Sequence, residues 1–538
     1  MIKQLITFNG GLSTKVAPNL IAPNEAVECN NVDLEEGTLK PVKDSVYLQD
    51  VTGTHGYYIN GGYIFNSTAD DDRFYVEFAN TLYWSNANGT ANGLMRYDGT
   101  AVGEDATPPP SPNQISVAAI SGGNMGDATT YYYCYTFVDS SYLEGTPTVF
   151  AQTSTASPNL QIEVTINPTN TPADATQVRI YRQGGSNPTF NLIGEVDLEP
   201  TPIYPKTFTD NTRDIDVSRV ELTTFENTPP PDALDMLIEN NGTFWGSVGD
   251  RVYFSRTGSP YFWGTLDYVR LDSQCTGLGR IGSSIIAFTS SDMYQIDGWN
   301  RDNITRRKLE FNQGCKNKRT VANVNNYLFW VSDNGICLYD GGSVVVVTKN
   351  ILSWNEFAKV GNSTWSDYVD ERYNSGLGFE ISYATSYQDK YYGVYADGIV
   401  VIDISNGIKA STLHGSGIQS LVYNKSDNVL NYVYDNASQL ELHTILSATT
   451  DAVAVWKTGE LADEGITIRK FYRKVNLIGD LGTDNEITVF IDGESKIVIS
   501  DRKEFFLPSG SHGYSIQFLI KTNGELSGLK YEYSIGKV

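Results

Sequence analysis

The sequence has little of what builds metal sites or disulfide frameworks. Its 538 residues include five cysteines and four histidines. No cysteines stand in C-x-x-C spacing and no histidine stands in a metal-ligand spacing. An odd number of scattered cysteines also gives no disulfide framework. We therefore expect no metal and no other cofactor. We also expect the cysteines to be buried thiols of a protein made in a reducing cytoplasm; they are Cys29, Cys134, Cys275, Cys315 and Cys337.

Long apolar runs and an export signal are lacking as well. No stretch approaches the roughly 20 apolar residues that cross a bilayer. The longest β-branched run, Val344 to Val347, has the length of a strand. Met1 to Phe8 carry one lysine and too short an apolar stretch for a secretion signal. These absences predict a soluble protein with no membrane segment that does not leave the cell by the usual export route.

Basic residues are the third shortage. Lys and Arg number 39 against 63 Asp and Glu, which gives a formal net charge of −24, and the excess is spread along the chain. Proteins that grip nucleic acid offer a basic face, because phosphate contacts dominate that affinity. The composition therefore argues against tight DNA binding and is compatible with ordinary solubility. If the chain forms a ring around a channel, acidic walls would repel a DNA backbone and let it slide.

What the sequence does contain is one repeated pattern. A short apolar strand with an aromatic pair is followed by a polar turn and a second apolar strand, and no helical period is sustained. Copies that start within 237–446 are roughly 30 to 65 residues apart, around the period of four-stranded propeller blades. A series of unrelated β-sandwich domains is the alternative interpretation. The copies lie at 78–99, 237–255, 285–298, 327–341, 391–405 and 421–446.

These patterns predict an all-β fold class: a β-propeller with an inserted fibronectin III/Ig-like β-sandwich and a C-terminal β-domain. Proline-rich hinges at 107–112 and 228–231 bracket about 115 residues with alternating strands, the size of a sandwich. From 467 onward the apolar period is close to two, as in a sheet with one buried face. The predicted domains are an N-terminal arm and first strand at 1–50, a first blade at 51–107, the sandwich at 113–227, the remaining blades at 232–450 and the C-terminal β-domain at 466–538.

Helix is expected at two places only. The arm allows a short helix near Asn24 to Asn30, which Asn24 could cap. The pattern also loosens between 353 and 373, where the segments 354–358 and 365–373 allow helical turns.

The N-terminal arm carries the most specific motif of the chain. Its positions are Phe8, Gly10, Gly11, Leu12, Pro18, Pro23, Glu25, Asn31, Asp33, Gly37 and Pro41. This spacing of glycine, proline and acidic positions resembles the opening of the tail nozzle proteins of short-tailed bacteriophages, also called tail tubular protein B. An interrupted propeller with added β-domains is also similar to that family and to the related packaged-DNA stabilisation hub.

The resemblance implies a structural virion protein of the phage tail, made in the host bacterial cytoplasm and without enzymatic activity. Six copies would form a ring below the portal and its adaptor protein and continue the channel through which the genome leaves. The ring would retain the DNA until host contact and seat the tail fibres or spikes. Genomic DNA would pass through the lumen without tight binding. No gate residue of this chain is matched by the resemblance.

Two functions from other classes stay open. A propeller glycosidase would need a carboxylate pair, and Ser332 to Gly335 loosely follows the sialidase Asp-box without its spacing, its Trp or an arginine cluster. Asp333 is better explained as a turn residue, and no phosphate loop, G-x-S-x-G elbow or H-E-x-x-H is present, so no catalytic residue is predicted. The other alternative is a receptor-binding adhesin or tail fibre/spike component, which would use the sandwich and tyrosine-rich loops to bind carbohydrate or a host protein.

Overall fold

A computed structural model describes most of the chain. The described residues are 1–14, 17–34, 37–65, 73–85, 94–97, 99, 102–105, 108–125, 129–155, 160–169, 171–172, 174–199, 202–349, 351, 380–405 and 407–535. Over these ranges the regular structure is β-strand, apart from the 3-10 turns Asp214–Asp216 and Lys318–Thr320. The predicted all-β class is confirmed. No helix within the described ranges is long and apolar enough to span a membrane.

The chain divides into two compact units. The first comprises residues 1–71, 276–296 and 307–538, and the second comprises residues 72–275 and 297–306. The first eight strands belong to the first unit. They are β1 (Ile2–Ile6), β2 (Gly11–Leu12), β3 (Glu25–Asn30), β4 (Val32–Asp33), β5 (Lys40–Pro41), β6 (Val46–Val51), β7 (Gly56–Ile59) and β8 (Gly62–Phe65).

The strands of the second unit form two blades and the inserted sandwich. They are β9 (Tyr75–Phe78), β10 (Thr81–Ser85), β11 (Leu94–Tyr97), β12 (Val102–Asp105), β13 (Ile115–Met125), β14 (Thr130–Asp139), β15 (Ala151–Ser154), β16 (Leu160–Ile166), β17 (Ala175–Gly184), β18 (Asn187–Asp197), β19 (Lys206–Asp210), β20 (Asp235–Asn240), β21 (Thr243–Val248), β22 (Arg251–Phe254) and β23 (Tyr268–Arg270).

The remaining strands complete the blades and the C-terminal domain. They are β24 (Gly277–Ile281), β25 (Ser284–Phe288), β26 (Met293–Asp297), β27 (Thr305–Leu309), β28 (Ala322–Val324), β29 (Tyr327–Ser332), β30 (Gly335–Tyr339), β31 (Val344–Val346), β32 (Tyr383–Tyr387), β33 (Lys390–Tyr395), β34 (Gly398–Asp403), β35 (Lys409–His414), β36 (Ile418–Asn424), β37 (Val429–Asp435), β38 (Leu440–Thr444), β39 (Ala454–Thr458), β40 (Lys470–Gly479), β41 (Asn485–Ile491), β42 (Glu494–Ile499), β43 (Glu504–Phe506), β44 (His512–Gly513), β45 (Ile516–Thr522) and β46 (Leu526–Ile535).

The repeated sequence pattern corresponds to four-stranded antiparallel meanders. Five of them are β9–β12, β20–β23, β24–β27, β28–β31 and β32–β35, and a sixth combines β36–β38 with β6 from the N-terminal region. Meanders of this kind are propeller blades, so the described chain has the predicted propeller class. Local sequence explains their turns: Asn241 and Gly242, both at positive φ, join β20 to β21 in the two-residue turn that suits a twisted hairpin.

Aromatic side chains on the second strands of neighbouring blades pack against each other at two places. In the second unit, Phe244 of β21 packs edge to face on Tyr83 of β10, with ring centroids 5.2 Å apart. In the first unit, Phe288 of β25 lies 4.9 Å from Trp330 of β29. Because a single blade cannot bury both of its faces, these contacts stabilise the stack.

The inserted module is a two-sheet sandwich. Its sheets are β13-β16-β19 and β15-β14-β17-β18, and alternate residues of β14 and β16 fill the core between them. An ion pair crosses this core: Arg182 donates to Asp210 at 2.6 Å, and both side chains are fully buried. Tyr133 also donates to Asp210, at 2.8 Å.

The C-terminal domain is built partly from the N-terminal arm. β1 pairs with β46 at the edge of the sheet β1-β46-β40-β43. β3 pairs with β35 on one side and with β39 on the other, inside a ten-stranded sheet that runs from the blade β32–β35 to β42. The helix predicted near Asn24 to Asn30 is wrong, because strand pairing on both edges of β3 outweighs the local capping signal. The helical turns predicted at 354–358 and 365–373 lie outside the described residues.

Candidate functional site

The N-terminal arm motif is the candidate site, and every one of its positions lies in the first unit. β2 pairs with β3. β3 lies between β35 of the blade β32–β35 and β39 at the start of the C-terminal domain. The motif residues fix the arm against these neighbours by four kinds of contact: backbone hydrogen bonds, close packing of glycines, burial of apolar side chains and an ion pair.

Asn31 ties the arm to both of its neighbours. Its backbone N–H donates to Thr412 O of β35 at 2.7 Å. Its side-chain Nδ2 donates to Val453 O, just before β39, at 3.2 Å. The residue has φ 54, in the left-handed region that asparagine tolerates better than most residues. One side chain and one peptide group therefore join the blade, the arm and the C-terminal domain.

Gly10 and Gly11 are needed because the arm packs tightly at this point. A Cβ on Gly10 would lie 2.6 Å from Asn24 O, and one on Gly11 would lie 2.8 Å from Ala410 O of β35. Gly11 also has φ +78. Any side chain at either position would push the arm away from a backbone oxygen. Gly37, at φ +76, occupies a turn with much more room.

Apolar motif residues enter the main core of the first unit. Phe8 is fully buried and packs edge to face on Trp456 of β39, with centroids 5.4 Å apart. Leu12 is buried in the same cluster. Burying a phenylalanine side chain contributes on the order of 2–3 kcal/mol, so these residues seat the arm rather than present it to solvent.

Asp33 supplies the polar contact. Lys390 Nζ of β33 lies 3.6 Å from a carboxylate oxygen of Asp33 and 3.6 Å from one of Asp403. The Lys390 side chain is mostly buried. The three charges link the arm to the hairpin β33–β34.

The other motif positions shape the chain between these contacts. Pro18 O accepts from Glu460 N at 2.9 Å, and the Glu25 carboxylate accepts from Ala22 N at 2.9 Å. Pro41 pairs with Val32, whereas Pro23 is exposed. We refer to the whole motif with these contacts as the arm clasp.

Sequence reasoning located the motif but missed its partners. Thr412, Val453, Trp456 and Lys390 lie more than 300 residues further along the chain, and no local signal connects them to the arm. The strand at 454–458, whose alternate residues are buried, lies between the predicted blades and the predicted C-terminal domain and is the one local sign of such a connection.

The thiols and the acidic residues considered from the sequence can be placed in the described part of the chain. All five cysteines are buried thiols, as predicted, and burial raises the pKa of Cys337 to about 12, which keeps its thiol protonated. The described residues contain no group of three or more His, Cys, Asp or Glu that could hold a metal. Asp333 lies in the turn that joins β29 to β30, where Asn334 N donates to Ser332 Oγ at 3.1 Å.

Comparison with known proteins identifies no family. No protein-family model matches the sequence, and no curated protein matches it. Among solved structures it is similar to BBS1N in complex with ARL6DN, with 10% identity and a TM-score of 0.25, over 54% of this chain and 88% of that chain. It is also similar to Hsv2 of Kluyvelomyces marxianus, with 10% identity and a TM-score of 0.25, over 54% of this chain and 70% of that chain. A TM-score of 0.25 indicates little overall similarity in structure. The propeller fold of this chain is therefore assigned from its own strand pairing.

Proposed function

We propose that this protein is a structural component of a bacteriophage tail, a nozzle or hub that forms a ring-shaped channel for DNA. In this proposal it sits below the portal and adaptor, retains and then conducts the genome, and seats tail fibres. The observation that carries the proposal is the N-terminal motif, which resembles that family in sequence and whose residues form the arm clasp.

The arm clasp suits a protein with a mechanical task. Through β3, the blade β32–β35 and the C-terminal domain share one ten-stranded sheet. Separating them would require the loss of backbone hydrogen bonds on both edges of β3 and removal of Phe8 from the core. A channel wall that retains a pressurised genome needs such resistance to shear between its parts.

Charge supports a conduit in preference to a DNA-binding protein. With a net charge of −24 per chain, a wall of several copies would repel the phosphate backbone and keep DNA from sticking. A cyclic ring repeats one heterologous interface until it closes. Apolar burial at that interface, at about 25 cal/mol per Å², must outweigh repulsion between the acidic copies.

Negative-stain imaging and sedimentation velocity of the purified protein test this proposal. We expect six-fold rings with a central hole, in a fraction that rises from low to moderate salt because salt screens the repulsion between copies. Rings that form only at the lowest salt would contradict the charge argument. Single particles or slender trimers at every salt concentration would contradict the nozzle and favour the adhesin.

One surface favours the adhesin alternative. Phe150 and Phe225 of the sandwich are each about half exposed and pack on each other with centroids 6.3 Å apart, beside the exposed Val149. An apolar patch of this kind is typical of interaction surfaces. Binding of intact host cells that is lost on Phe150→Ser, with rings absent, would support this second function.

A further inference from the structure

The outer face of the sheet β1-β46-β40-β43 carries an open cleft. The opposite face of this sheet belongs to the core through Tyr472, Val475 and Tyr533. β40 forms the floor of the cleft, the segment after β43 forms one wall, and the end of β46 forms the other. Its lining includes Phe471, Arg473, Lys474, Phe506, Pro508 and Ile535.

Both ends of the cleft are apolar and open to solvent. Phe506 is 71% exposed, Phe471 is 43% exposed and Ile535 is 44% exposed. Large apolar side chains grouped on a surface mark sites of interaction with other molecules.

A β-bulge places two cationic side chains beside these aromatic rings. The register of β40 against β46 shifts between Tyr472 and Lys474, so Arg473 is an extra residue on its strand. Tyr472 and Val475 are both buried, and the two residues between them are left on the outer side. Bulges commonly redirect a side chain in this way near functional sites.

Within the described ranges, Arg473 is the cation of this pair that has no carboxylate partner. Lys474 forms an ion pair with Glu504, and its Nζ lies 5.5 Å from the centre of the Phe506 ring. Glu532 on the far wall is already paired with Lys3 at 2.8 Å. Arg473 is exposed and forms no ion pair with any residue in the described ranges. In a chain of net charge −24, this surface has local complementarity to an acidic partner.

We propose that this cleft binds an extended acidic segment of another protein. A carboxylate of the segment pairs with Arg473, and an apolar side chain two residues away, on the same face of the extended segment, packs between Phe471 and Phe506. This inference does not rest on the proposed nozzle function.

The probe is a fluorescein-labelled nine-residue peptide with Glu and Val alternating at the odd positions and Ser at the even positions, so that both kinds of side chain share one face; it is titrated with the full chain and followed by fluorescence anisotropy. We expect saturation with a Kd below about 1 mM and binding at least about tenfold weaker for the matching Lys and Val peptide, because charge-assisted pairs are strong and specific. Arg473→Glu should weaken binding at least about tenfold, and Phe506→Ser should weaken it several-fold.

The matched control is Arg219→Glu, which changes the net charge equally at an exposed arginine of the inserted module. It should leave the Kd within about twofold. An equal loss in Arg219→Glu, or no binding of the acidic peptide, would overturn the proposal. So would equal affinity for a single-stranded oligonucleotide of the same charge, because the cleft would then be a general polyanion site. Unchanged thermal unfolding of the variants establishes that the fold is intact.

Discussion

Replacing Gly11 with alanine tests whether the arm is held against the blade β32–β35 by direct backbone packing. Gly37 provides the matched control in the same arm. Both residues have nearly the same positive φ, +78 and +76, so both substitutions introduce the same backbone strain. They differ in what the new Cβ meets: Ala410 O at 2.8 Å for Gly11, and the Asn9 side chain at an ordinary 3.4 Å for Gly37.

The expected magnitudes follow from these two contributions. A non-glycine residue in the left-handed region costs about 1 kcal/mol. Overpacking against an atom that cannot move costs about 1–3 kcal/mol more, and Ala410 O belongs to a paired strand. Gly11→Ala should therefore destabilise the docked arm by about 2–4 kcal/mol, and Gly37→Ala by about 1 kcal/mol.

Amide hydrogen exchange is the suitable assay, because it measures local opening in a protein whose global unfolding need not be two-state. The reporters are Ser13 N–H, bonded to Ala26 O, and Asn31 N–H, bonded to Thr412 O, both at 2.7 Å. At about 1.4 kcal/mol per factor of ten, Gly11→Ala should speed their exchange about 30-fold or more. Gly37→Ala should speed it about fivefold. Equal rates in the two variants would refute the packing argument.

Three further predictions concern the core, the module and pH. Phe8→Ala should cost about 3–5 kcal/mol of the stability of the docked arm, measured by exchange of the same amides, whereas Leu20→Ala, at an exposed position of the same arm, should change it by less than about 0.5 kcal/mol. Deleting residues 113–227 should leave soluble rings because the sandwich has its own core; loss of all soluble assembly would contradict the insertion. The hydrogen bond from His443 lowers the pKa of Glu441. Since this folded pKa lies below the unfolded value of about 4.3, the stabilisation is present above that value and is lost as pH falls through the folded pKa. Acid unfolding of His443→Phe should therefore show a smaller loss in that window, and an unchanged acid profile would contradict this linkage.

Much of the fold could be predicted because hairpins are local. The Phe329-Trp330 pair, the Ser332 to Gly335 turn and the strand that follows stand within about a dozen residues, and the predicted repeat at 327–341 is observed as β29 and β30. The alternation of Ile487, Val489 and Ile491 likewise indicates a strand with one buried face, and all three are buried in β41. Period and turn chemistry suffice in these cases.

The arm shows where local signals fail. Glu25–Asn30 follows a capping residue and could have begun a helix. It is a strand because it pairs with two distant strands, β35 at Thr412 and β39 at residues 454–458. The closing strand β6 is likewise assigned to its blade by pairing with β38, almost 400 residues away. Nothing in the sequence of residues 46–51 identifies β38 as the partner of β6.

The amino-acid sequence alone determined the all-β class, the blades, the sandwich and the acidic charge, because those depend on period, turn residues and composition. The tertiary structure decided that the N-terminal arm is part of the C-terminal domain, that its glycines are required by close contact with β35, and that a bulge exposes Arg473 beside two phenylalanines. These features depend on which distant strands share hydrogen bonds. Several partners of similar composition could satisfy one strand, and only the packing of the whole chain selects among them.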